Sequence, residues 1–207
     1  MADTAVIEPR ASARGTGRGS TVGMGLAMLI AIGFLAAFAF PYFTLNQQRF
    51  GMYWPRRGWL LLHILPGMVA LIIGPVQLWL GINRRRLTLH RKLGYTYMTC
   101  GAASVIGAYY LAFHTDGPWV FGMGLVGLAT AWIVTTGLAF VAIRRRAIQQ
   151  HREWMIRSCV VTFGFVTFRL LVGILQGHVQ HVWHVCPPVS LLGIVLAHYT
   201  TVRATVR

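Results

Sequence analysis

Acidic residues are nearly missing from this chain: Asp3, Glu8, Asp116 and Glu153 are all it has, against nineteen Lys and Arg in 207 residues. Charged residues make up 11% of the sequence, where a soluble domain carries about a quarter, and hydrophobic residues make up 56%. No carboxylate cluster accompanies the histidines. The net charge of +15 suits a nucleic-acid binder, but the arginines sit in short clusters between long apolar runs, with little polar surface to spare. Nucleic acid is therefore excluded as a partner, and the lipid bilayer is expected. Cysteine is sparse too. Cys100, Cys159 and Cys186 form no C-x-x-C and no C-x-x-C-H, which excludes a disulfide framework and covalently attached haem. No H-E-x-x-H is present, so hydrolytic zinc chemistry is unsupported.

What is present is a series of apolar runs. Residues 1–20, rich in Ala, Gly, Ser, Thr and Arg, read as a disordered tail, and 21–207 as one transmembrane domain. Runs at about 22–45, 58–82, 91–113, 118–142, 154–176 and 183–203 predict an all-α, polytopic bundle of six membrane helices. The first run is longer than the apolar core of a signal peptide, although "AFA" at 37–39 resembles a cleavage site. The sixth is interrupted by Pro187 and Pro188.

Lys and Arg set the orientation. The stretches "RRRLTLHRKLG" (84–94) and "RRRAIQQHREW" (144–154) are the basic loops, while 114–118 and 177–187 hold no Lys or Arg. Both termini are expected in the cytoplasm. Arg49, Arg56 and Arg57 fall on the opposite side and run against the rule.

Helical spacing then picks out polar and small-residue stripes. His63, Gly67, Ala70, Gly74 and Gln77 share one face of the second run. His90, Gly94, Tyr97, Gly101, Ser104 and Ala108 share a face of the third, and His151, Met155, Ser158, Thr162, Phe165 and Arg169 a face of the fifth. The third and fifth runs align at an offset of 61, so the hairpins two–three and four–five read as a degenerate parallel repeat. Small residues in such stripes are explained by close helix packing. Gly74 and Gly101 should face inward, with Leu80 the tolerant comparison.

The polar members ask for more. Arg169, about seven residues inside its helix, has no acid in reach and defaults to a functional role; snorkelling toward headgroups is the plain alternative. His63 lies at similar depth. A ligand site is expected there, with Arg169 meeting an anion or carbonyl and His63 serving as ligand or proton carrier. His90 and His151 start their helices beside arginines; they either meet lipid phosphates or face each other across the repeat axis. The cofactor-binding candidates are thus His63, Gln77, Arg169, His90 and His151. The metal-ligand candidates are His63, His114, His178, His181, His184 and His198, since imidazole ligates haem iron, copper and zinc.

"LLHILPGMVALIIGPVQ" (61–77), "LHRKLGYTYM" (89–98), "TAWIVTTGLAFVAIRRR" (130–146) and "HREWMIRSCVVTFGFVTFRL" (151–170) resemble a family of bacterial predicted membrane proteins, the domain-of-unknown-function 2306 family. The resemblance covers about 58–176 and leaves the histidines at 178–184 outside. It implies a multi-pass protein of the bacterial inner membrane and points to His63, Gln77, His90, Trp132, His151, Arg157 and Arg169. It brings no activity with it. Three functions compete: electron transfer through haem b or quinone, a cofactor-free accessory subunit bound to other membrane proteins, and a small transporter or lipid-handling protein. Haem needs paired histidines on facing helices, and the fourth run has none.

Overall fold

The computed structural model describes residues 16–116 and 119–175. Among them no strand occurs. The elements are α1 (Thr16–Phe34), a π turn (Leu35–Ala39), a 3-10 turn (Phe40–Thr44), α2 (Gln47–Phe50), a second 3-10 turn (Gly51–Arg56), α3 (Arg57–Ile82), α4 (Leu87–Phe113), α5 (Trp119–Arg144) and α6 (Ile148–Leu175).

The first apolar run is thus not one α-helix to residue 45. Pro41 has no N–H to donate and disfavours the α-helical register behind it. The helix widens first, with the Phe40 N–H reaching Leu35 O, and then tightens into the 3-10 turn that holds Pro41. This break directs Leu35 and Ala39 inward. The chain restarts at α2, where the Asn46 side chain accepts from the Gln48 N–H at 2.9 Å.

Helices α3 and α4 form one antiparallel hairpin and α5 and α6 another. The pairs α3–α6 and α4–α5 close them into a four-helix bundle, and α1 packs outside on α3. The core holds Tyr97, Val105, Leu128, Ala129, Trp132, Ala139, Met155 and Val161. A second cluster joins Ala31, Leu35 and Ala39 to Leu71 and Val166. Small residues set the close approaches. A Cβ on Gly107 would stand 2.8 Å from His63 N and Trp59 O, and one on Gly67 would stand 2.9 Å from Ser104 Oγ.

The hairpin turns repeat one another. In the first, Arg84 takes φ 50° and the Arg85 N–H reaches back to Leu80 O at 3.0 Å. In the second, Arg146 takes φ 59° and the Ala147 N–H reaches Ala142 O at 2.9 Å. Both are Schellman-type ends, with arginine where glycine is usual. The linkers are residues 83–86 and 145–147, so the second is one residue shorter. Helices α3 and α5 therefore correspond at an offset of 62, and α4 and α6 at 61.

Among the described residues, four segments are long and apolar enough to cross a membrane: Thr21–Thr44, Gln47–Ile82, Trp119–Arg144 and Ile148–Leu171. Helix α4, with 27 residues, is about 40 Å long at 1.5 Å per residue, long enough for a crossing. It falls short in apolarity because Tyr97 and Ser104 turn inward and His90, Arg91 and Lys92 occupy its first turns. The sixth expected helix, 183–203, and residues 1–15 of the expected tail lie outside the described residues, while residues 16–20, expected as disordered, open α1. Leu80 is buried at 3% exposure and is no lipid-facing comparison for the glycines.

Candidate functional site: a cavity above an axial column of polar side chains

A cavity of about 260 Å³ opens between α1, α3, α4, α5 and α6. Most of its wall is apolar, from Phe34, Leu35 and Phe38 at the π turn to Leu60, Leu71, Val105, Phe165 and Val166. His63 and Arg169 both line it. The stripes that held them on separate helices have brought them to one space.

Ser104 fixes the His63 ring. Its hydroxyl donates to His63 O at 2.8 Å, and its O and Oγ each lie 3.0 Å from His63 Nδ1. A carbonyl can only accept, so Nδ1 carries the proton and Nε2 keeps its lone pair. Nε2 has no partner among the described residues. Arg169 is exposed at the cavity rim, near Tyr53 in the lining. Among the described residues the ion pair present is Arg56–Asp116, at 3.2 Å, which leaves Arg169 without an acid.

Trp132 and Thr162 also line the cavity and belong to a buried polar knot beside it. The Trp132 indole N–H donates to Tyr97 OH at 3.0 Å and to Thr162 Oγ1 at 2.9 Å. Tyr97 OH lies 2.8 Å from Ser158 Oγ and 2.7 Å from Thr162 Oγ1, and Ser158 Oγ lies 2.6 Å from Thr136 Oγ1. The Thr162 hydroxyl also donates to Ser158 O at 2.9 Å. Gly101 makes the seat for Trp132, because a Cβ there would collide with the indole.

At the arginine-rich end, His90 and His151 each stand fourth in their helices. His90 Nδ1 donates to Gln77 O at 2.9 Å and His151 Nδ1 donates to Ala139 O at 2.8 Å. Their rings meet edge to face, with centroids 6.3 Å apart. Gln77 and Ala139 correspond at the offset of 62, and His90 and His151 at 61. Equivalent positions touch each other only near the repeat axis. Tyr97 and Ser158, also 61 apart, do the same. His90 and His151 therefore face each other, as the repeat predicts.

The Gln77 side chain is 1% exposed, and neither Nε2 nor Oε1 has a hydrogen-bond partner among the described residues. Arg157 lies over Trp154, 4.4 Å from the ring centroid, with a buried, unpartnered Nε. His114 is exposed, binds Tyr110 O through Nδ1 at 2.8 Å and does not line the cavity. His63 and His114 are not joined in any group of three or more metal-binding side chains among the described residues. His178, His181, His184 and His198 lie outside those residues. The candidates thus divide into His63 with Arg169 at the cavity, and His90 with His151 and Gln77 at the other end.

The knot as a unit escaped the sequence. Tyr97, Ser158 and Thr162 stood in the stripes, and the family resemblance named Trp132. Thr136 carried no signal, and helical period tells which face a residue occupies, not which residue of another helix it meets.

These features define a class: a helical membrane protein built on two parallel hairpins, with a polar axis and a largely apolar cavity. The chain belongs to the family of predicted membrane proteins of domain of unknown function 2306 (DUF2306), whose model matches residues 60–201. That match extends past residue 176 and takes in His178, His181, His184 and His198, which are therefore not an addition beyond the family region. No curated protein and no solved structure matches the chain.

Proposed function

We propose that the protein binds a quinone-type amphiphile in the cavity, as a component of membrane electron transfer. The observation that carries this reading is that His63 and Arg169 line one otherwise largely apolar cavity. Arg169 supplies N–H donors to a carbonyl and His63 Nε2 an acceptor to a hydroxyl, the two faces of a quinone/quinol head. An apolar tail fits between α1 and α3. An arginine left without an acid at this depth costs free energy that such a ligand offsets.

Haem b suits the cavity less well, because it takes paired histidines and one histidine among the described residues lines it. The proposed setting is the bacterial inner membrane, with six crossings and the arginine triplets and both termini in the cytoplasm.

The test is titration of the purified protein in lipid nanodiscs with a short-chain quinone, read by tryptophan fluorescence quenching, since Trp132 lines the cavity. Saturable quenching is expected. Arg169→Gln and His63→Ala should each weaken it about tenfold or more, or ~1.4 kcal/mol. Absence of saturable binding to the native chain, or unchanged binding by both variants, refutes the assignment. A haem Soret band in the purified protein replaces quinone with haem.

A further inference from the structure

We propose that the side chains along the repeat axis form a proton pathway from the arginine-rich end of the bundle to the cavity. This uses the cavity but not the identity of its occupant.

Three observations lie in order along the axis. The first is the histidine pair: each Nδ1–H is held by a backbone carbonyl, so each Nε2 is left to exchange a proton. The second is Gln77. Its Oε1 lies 3.3 Å from where a Cβ on Gly94 would stand, and Gly94 is one turn of α4 from both His90 and Tyr97. On α3, Gln77 is one turn from Gly74, which faces the Tyr97 ring at 3.4 Å. Its amide therefore lies between the histidines and the knot. A buried amide with neither atom partnered calls for internal water.

The third is the knot itself. Thr136, Ser158, Tyr97 and Thr162 form a row of hydroxyls at 2.6, 2.8 and 2.7 Å, and in each contact either oxygen can be the donor. Because the Thr162 hydroxyl donates to Ser158 O, it accepts from Tyr97 and the row as it stands points toward Thr162 at the cavity; the opposite order forms when Thr162 turns its O–H from Ser158 O to Tyr97. A proton taken up on one oxygen is matched by a proton passed from that hydroxyl to the next. One proton enters, another leaves from Thr162, every hydroxyl ends neutral, and rotation of the O–H bonds resets the row. Thr162 lines the cavity, which continues to His63 and to Arg169 at its far rim. Packing alone does not account for Gln77, because an apolar residue would fill that space without leaving an amide unpaired.

The experiment uses the full chain reconstituted into quinone-free phospholipid vesicles with a pH-sensitive dye inside. A potassium diffusion potential set by valinomycin drives protons. The native chain should carry protons faster than protein-free vesicles. Tyr97→Phe, which keeps the ring but removes the relay hydroxyl, and Gln77→Leu should each slow the flux by about tenfold or more, ~1.4 kcal/mol of barrier. Lipid-facing Ile72→Ala should not. Thermal melts show whether each variant is folded, and short-chain quinone binding is measured alongside. Flux no faster than in protein-free vesicles, or native flux in folded Tyr97→Phe and Gln77→Leu, overturns the pathway. Failure of quinone binding with flux intact removes only the occupant.

Discussion

Trp132 shows how one glycine decides the centre of the bundle. Its indole lies against Gly101, and its N–H is shared by Tyr97 and Thr162. Gly101→Ala must displace the ring, which strains the core and unpairs buried polar groups. Each effect costs about 1–3 kcal/mol, so a loss of roughly 2–6 kcal/mol is expected in thermal or denaturant unfolding of the detergent-solubilised protein. Gly137, with nothing within 4 Å of a Cβ, is the proper comparison, and Gly137→Ala should be neutral or slightly stabilising. Equal losses at both positions would mean that the seat for Trp132 is not tight. The inward face of Gly101 was legible from spacing. Its partner was not, because Trp132 stands in a mostly apolar helix whose own period shows no stripe.

At the scale of elements, the duplication was legible in the matching basic stretches, and the offset of 61 holds for α4 and α6. It fails by one for α3 and α5 because the second linker lacks a residue, a difference no periodicity within a helix records. The same linkers place Arg84 and Arg146 in left-handed backbone, which costs a non-glycine residue roughly 1–2 kcal/mol. Keeping arginine there is understandable if the charge is needed at that membrane surface. Arg84→Gly and Arg146→Gly should each raise unfolding stability by about 0.5–1 kcal/mol, while weakening the charge bias behind the proposed cytoplasmic placement of the loop. Lower melting temperatures would show instead that the arginine side chains hold the turns. The break in the first apolar run was signalled by Pro41, but its π-then-3-10 form depends on packing against Leu71 and Val166, which the sequence does not display.

For the whole molecule, the arginine triplets mark one end, and Trp and Tyr side chains stand at both, with Trp79 and Trp154 at the arginine-rich end. Arg84, Arg85, Arg86, Arg144, Arg145 and Arg146 cluster at one. At the other stand Tyr42, Tyr53, Trp54, Trp59, Tyr110 and Trp119, a belt suited to the membrane interface. Two of the arginines that ran against the charge rule are accounted for there: Arg56 pairs with Asp116, and the Arg57 guanidinium lies 4.8 Å from the Trp54 ring centroid. Hydropathy alone finds four crossings and passes over α4, which packs between α3 and α5 and spends its polar side chains on the axis. A helix that lines a polar axis need not look apolar on average. Counting α4 and the run at 183–203 gives the proposed six crossings with both ends of the chain in the cytoplasm. A reporter active only in the cytoplasm should therefore be active after Arg207 and after Arg146, and silent when inserted at Thr115. Activity at Thr115 would reverse the bundle. Silence after Arg207 with activity after Arg146 would leave an odd number of crossings beyond that point, so that the stretch broken by Pro187 and Pro188 does not cross.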